Sequence, residues 1–129
     1  MRSLRIFLAI ADERLRLALL MHLDQEPGLI VAGVADRLTG LMSQLEGAQP
    51  DVLVLDWDLI VGPAEKLFVD LQNLEYQPEV IVLSRDPQLK EPVLAAGAIF
   101  FICKDAPPDT LIPMLNDLRL SKIKKPTNG

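Results

Sequence analysis

Two rhythms alternate along the chain. Five short apolar runs, rich in Val, Ile, Leu, Phe and Ala and without strict polar alternation, are each followed by a segment whose apolar residues return every three or four positions. The runs predict strands over 5–11, 29–35, 52–56, 79–84 and 99–103, buried on both faces. The segments between them predict helices. Over 13–25, Leu15, Ala18, Leu19 and His22 with a second row at Leu17, Leu20 and Met21 give a wide buried face, which makes His22 a core residue, and Asp12 stands as the N-cap. Leu38, Leu41, Met42 and Leu45 place a second helix over 37–46, and Leu67, Phe68, Leu71 and Leu74 a third over 64–74. Pro87 and Pro92 bound a short fourth helix on its amino side and Gly97 ends it. Pro108 opens a fifth on Leu111, Met114, Leu115 and Leu118, with Pro113 inside the pattern, so that helix starts late or bends.

Strict alternation of five strands with five helices predicts an α/β fold, a single doubly wound five-stranded parallel sheet. The domain is expected over 1–120. Residues 121–129 lose the apolar period, carry only positive charge and read as a basic tail or linker.

Composition narrows the class. A chain of 129 residues, half hydrophobic and 24% charged, is the size of one domain and can bury a core without staples. The single Cys103 cannot form an internal disulfide, which predicts a reduced, cytoplasmic protein, and its place in an apolar run predicts a buried, inert thiol. A formal net charge of -5 argues against direct contact with nucleic acid or an anionic membrane. The basic start and the Ala-x-Ala at Ala9-Ile10-Ala11 imitate a signal peptide, but the apolar run from Ile6 to Ala11 falls short of the ~7–15 residues required. No apolar stretch approaches the ~20 residues of a transmembrane helix; the longest, 93–103, is split by Gly97.

The stretch Pro50-Asp51-Val52-Leu53-Val54-Leu55-Asp56-Trp57-Asp58 puts an acid at the carboxyl edge of the sheet, where open α/β sheets hold ligands. On this stretch alone, a functional Asp56 and an Asp56 that caps the following turn stand equal. The element order then gathers Asp12, Asp56, Ser84 and Lys104 at that edge, from the ends of the first, third, fourth and fifth strands. An aspartate, a hydroxyl and a lysine suit phosphoryl transfer to the carboxylate, with the lysine neutralising charge, the hydroxyl donating to a phosphoryl oxygen and a divalent cation balancing the rest.

With Pro50–Asp56, Val80-Ile81-Val82-Leu83-Ser84 and Ala95-Ala96-Gly97-Ala98 leading through Phe101 to Lys104-Asp105-Ala106-Pro107-Pro108, the chain resembles the receiver domain of two-component response regulators over about 4–120. Glu26-Pro27 and Val31-Ala32-Gly33 look most like regulators with a helix-turn-helix output, which does not follow here. The resemblance implies a (βα)5 flavodoxin-like fold. It implies Asp56 as phosphoacceptor, Ser84 and Lys104 as the groups that bind the phosphoryl, and Phe101 as the switch aromatic. It also implies a histidine kinase or phosphotransfer protein as partner, an output domain that is missing or separate, room for a homodimer, and no enzymatic activity beyond self-phosphorylation from a donor and self-dephosphorylation.

Its implied cofactor is Mg2+, held by Asp56, the Asp58 backbone carbonyl and a pair of adjacent acids ending the first strand. In the ungapped register, the one preferred, that pair falls on Ile10 and Ala11; a two-residue slip would place it on Asp12 and Glu13. Magnesium wants ~6 oxygens in octahedral array, so without the pair it is held weakly or not at all, unless Asp12 reaches the pocket. Leu59-Ile60-Val61 also replaces the family's Met-Pro-Gly. Phe100 either faces outward as a sticky patch or lies with Phe101 under the last helix.

Three functions follow: a phosphoacceptor receiver signalling through its fourth helix, fifth strand and fifth helix; a degenerate receiver working as a phosphorylation-independent interaction or dimerisation module; or a flavodoxin-like enzyme or nucleotide binder. The third is disfavoured because residues 9–14 contain no Gly, Ser or Thr to cradle a phosphate. Residue counts exclude a catalytic dyad, a zinc cluster and a redox pair.

Overall fold

The computed structural model of the protein describes residues 3–124. Five strands, β1 (Leu4–Ala9), β2 (Leu29–Ala35), β3 (Val52–Asp56), β4 (Glu79–Ser84) and β5 (Phe100–Cys103), alternate with α1 (Glu13–Asp24), α2 (Leu41–Ala48), α3 (Ala64–Gln72), α4 (Lys90–Ala96) and α5 (Leu111–Lys124). All pairings are parallel, in the order β2-β1-β3-β4-β5. No helix among the described residues is long and apolar enough to cross a membrane.

Alternate residues of each strand feed two separate cores, because successive side chains point to opposite faces. Ile6, Leu8, Val52, Val54, Ile81 and Ile102 pack with Leu19 and Leu23 of α1 and with Leu111, Leu115 and Leu118 of α5. Phe7, Ala9, Leu53, Leu55 and Val82 pack with Leu41 and Leu45 of α2, Phe68 and Leu71 of α3 and Val93 of α4. The doubly wound sheet expected from the runs is what forms, and β3, in the middle, is buried throughout.

Between β1 and β2 the register slips, Ile6 pairing Val31 and Phe7 pairing Gly33, which leaves Ala32 without a partner. Gly33 is needed there: a Cβ on it would lie 2.6 Å from Cε2 of the buried Phe7.

Several expectations need correction. The α1 stripe is narrower than the apolar residues suggest, since only Leu19 and Leu23 are fully buried while Leu17, Met21 and His22 are exposed. His22 is not a core residue. Helix α2 starts at Leu41 rather than near Arg37, because Gly40 stands at its N-cap with a left-handed φ of 75°. Pro92 lies inside the first turn of α4, where its missing N–H costs no helical bond, and does not bound the helix. A single 3-10 turn over Pro108–Thr110 precedes α5, so Pro113 falls in the first turn of a helix that starts late. That helix continues to Lys124, past the expected boundary at 120, and the rest of the predicted basic tail, 125–129, lies outside the described residues. Cys103 is exposed at the end of β5, contrary to the buried thiol its apolar run predicts.

Candidate functional site: a lysine-clamped aspartate

The order β2-β1-β3-β4-β5 brings the carboxyl ends of β1, β3, β4 and β5 together, and three of the four polar residues expected there are buried. Asp56 is 0% exposed, Ser84 4% and Lys104 7%. An unpaired buried charge would cost several kcal/mol. Here the charges answer one another: Lys104 Nζ donates to Asp56 Oδ1 at 3.0 Å and to Oδ2 at 2.9 Å.

Two backbone groups complete the aspartate. Ala11 N–H donates to Oδ2 at 3.0 Å and Asp58 N–H to Oδ1 at 3.0 Å. The second bond makes Asp56 the cap of a 3-10 turn over Trp57–Leu59. Asp56 is thus both an acid at the sheet edge and the cap of its own turn, and the two readings left equal by the sequence hold together.

The lysine has a third acceptor. Its shortest bond, 2.7 Å, goes to Asp58 Oδ2, on a side chain 60% exposed. Burial pushes the Lys104 ammonium toward its neutral form, but hydrogen bonds to Asp58 and Asp56 and their charges outweigh it, and its pKa is raised above 10.5. Beyond Asp58 the charges go on alternating. Arg85, directly after Ser84, lies 4.0 Å from Asp58 Oδ2 and bonds Asp105 Oδ1 at 3.0 Å. Asp56, Lys104, Asp58, Arg85 and Asp105 form one chain from core to surface.

Ser84 is at the edge but joins Asp56 by no hydrogen bond. Its Oγ accepts Asp86 N–H at 3.0 Å and its carbonyl accepts Lys104 N–H at 2.9 Å. Phe101 and Phe100 are both half-buried and lie on opposite sides of the sheet, Phe101 against the α2–α3–α4 core and Phe100 against the α1–α5 core. The last helix therefore does not cover both.

The first-strand end decides whether magnesium fits. Ile10, at the first of the two acidic positions, is 0% exposed and belongs to the α1–α5 core. Ala11, at the second, offers only its N–H. Asp12 does not reach into the pocket: its Oδ1 accepts Arg14 N–H at 2.9 Å and Leu15 N–H at 3.3 Å as the α1 cap. The Leu15 N–H foremost, against desolvation and aided by the Arg14 N–H and the charges of Lys104 and Arg85, lowers its pKa from 3.8. Among the described residues no three His, Cys, Asp or Glu side chains are placed to hold a metal. The Asp56 oxygens a metal would share already face an ammonium at 2.9–3.0 Å. These residues do not fit Mg2+ as receivers hold it.

The sequence pointed to Asp56, Ser84 and Lys104 and missed Arg85, the Asp58 carboxylate and the Ala11 N–H. The available signal was charge, with an acid two residues after Asp56 and bases just after Ser84 and β5.

No protein-family model matches the chain and no curated protein matches it in sequence. Solved structures do match. The non-phosphorylated receiver domain of the stress response regulator RcsB from Escherichia coli is 19% identical, with 93% of this chain and 95% of that one covered at a TM-score of 0.82. The receiver domain of the response regulator NarL from Mycobacterium tuberculosis is 19% identical over 93% and 98% at 0.80. The Francisella response regulator 1452 receiver domain is 20% identical over 93% and 99% at 0.79. The chain has the receiver fold over nearly its whole length.

Proposed function

We propose that this chain is a receiver-type signalling domain that acts as an interaction module in the cytoplasm, engaging a partner protein or a second copy without being phosphorylated. One observation carries the reading. Where a receiver needs two acids to hold magnesium, this chain has a core isoleucine and a backbone N–H, and Lys104 supplies the positive charge from within. A phosphoryl group arriving at Asp56 would have to break its bonds to Lys104 or to a backbone N–H, with no divalent ion to spread its charge.

A second reading keeps Asp56 as the phosphoacceptor, fed by a histidine kinase or phosphotransfer protein and signalling through the α4–β5–α5 face with Phe101 as the switch. The placement of Asp56, Ser84 and Lys104 at one edge favours it. Neither reading makes the chain an enzyme beyond gaining and losing its own phosphoryl group.

Intact-mass measurement after incubation with acetyl phosphate and magnesium separates the two. The unphosphorylated reading expects no added mass. A gain of one phosphoryl group that Asp56→Asn abolishes would overturn it.

A further inference from the structure

A second polar cleft opens on the same edge, beyond β1 from the aspartate. It has a volume of about 330 Å³ and is lined by Arg16, Asp36, Arg37, Thr39 and Gln44 with Val34 and Ala35. In a chain of net charge -5, two arginines and no lysine pair at one cleft call for an explanation.

Arg16 is the firmer of the two. It is half-buried, and its Nη1 donates to the Ile10 carbonyl at 2.8 Å, which fixes the guanidinium in place. Among the described residues no carboxylate lies within ion-pair distance of it. Arg37 spends one N–H on Asp36 Oδ1 at 3.0 Å and keeps its terminal amino groups. Arg37, by its hydrogen bond and then its charge, lowers the Asp36 pKa from 3.8, and the charge of Arg16 adds to this, so Asp36 stays ionised and offsets one of the two arginines that line the cleft. Thr39 and Gln44 add a hydroxyl and an amide.

We infer that this cleft binds the phosphate group of a small hydroxylated phosphomonoester, gripped between Arg16 and Arg37, with the free oxygen of Asp36 accepting a hydroxyl of the ligand. Arginine forks match phosphate oxygens in pairs. The volume is within the ~300–1,000 Å³ of small-molecule sites. The inference goes beyond the interaction reading and does not depend on Asp56.

Amide NMR of the full chain, titrated with glycerol phosphate and with inorganic phosphate, tests it. Saturating shifts are expected at Arg16 and over 34–44, stronger for glycerol phosphate, and Arg16→Gln should weaken binding at least tenfold. Arg37→Gln, which leaves the Arg16–Ile10 bond intact, should do the same and covers the case in which Arg16→Gln fails to fold. Shifts that are absent, that sodium chloride reproduces at equal ionic strength, or that Arg37→Gln retains in full would overturn the inference.

Discussion

Lys104 Nζ sits between the two oxygens of Asp56, 2.9 and 3.0 Å away, with both side chains sealed from solvent. Taking away one partner leaves the other charged and buried. Lys104→Met should therefore cost ~3–5 kcal/mol in urea unfolding, reduced in so far as the Ala11 and Asp58 N–H groups still hold the carboxylate. The double variant Lys104→Met/Asp56→Asn should cost less than the sum of the single changes, since the two share one interaction. Additive costs would mean that the pair contributes nothing as a pair.

Proton release at Lys104 gives the pair a pH signature. Its folded pKa is raised, so its contribution is complete below the unfolded value near 10.5 and is lost as pH rises through the folded one. The urea midpoint should hold up to about pH 10 and fall above it, and the part of the fall due to this pair should vanish in Lys104→Met. At the acid end the sign reverses for Asp12, whose lowered pKa makes its helix cap effective above 3.8 and lost as pH falls through the folded value. Asp12→Ala should flatten that portion of the acid limb.

Gly33 faces the Phe7 ring too closely for a methyl group. Gly33→Ala should destabilise by ~1–3 kcal/mol, the cost of overpacking, and Phe7→Leu in the same chain should recover part of it. A neutral Gly33→Ala would mean that the β1–β2 bulge gives way easily.

Much of this was legible in the sequence because the sheet is buried on both faces. Apolar runs located all five strands, and the ends of β3, β4 and β5 put Asp56, Ser84 and Lys104 in view before any contact was known. What escaped was set by reach across the fold. Lys104 meets Asp58 from 46 residues away only because β3 and β5 flank β4, and no local pattern encodes that. Helix faces were overread for a related reason. Leu17, Met21 and His22 follow the apolar period, yet among the described residues they stay exposed on that side of α1. Cys103 shares its run with buried Ile102 but ends an edge strand, where its side is open.

The unphosphorylated reading requires that the Asp56 pocket, clamped by Lys104, takes up no magnesium. Trp57, the only tryptophan, adjoins Asp56 and packs against Phe68 at 6.5 Å between ring centroids, so its fluorescence reports on the pocket. The direct measurement is a titration of that fluorescence with magnesium and then beryllofluoride, run beside Ala11→Asp, which adds a carboxylate next to Asp56 Oδ2. A flat response is expected for the natural chain through millimolar magnesium and a saturating one for Ala11→Asp. A saturating change in the natural chain, lost in Asp56→Asn, would contradict it.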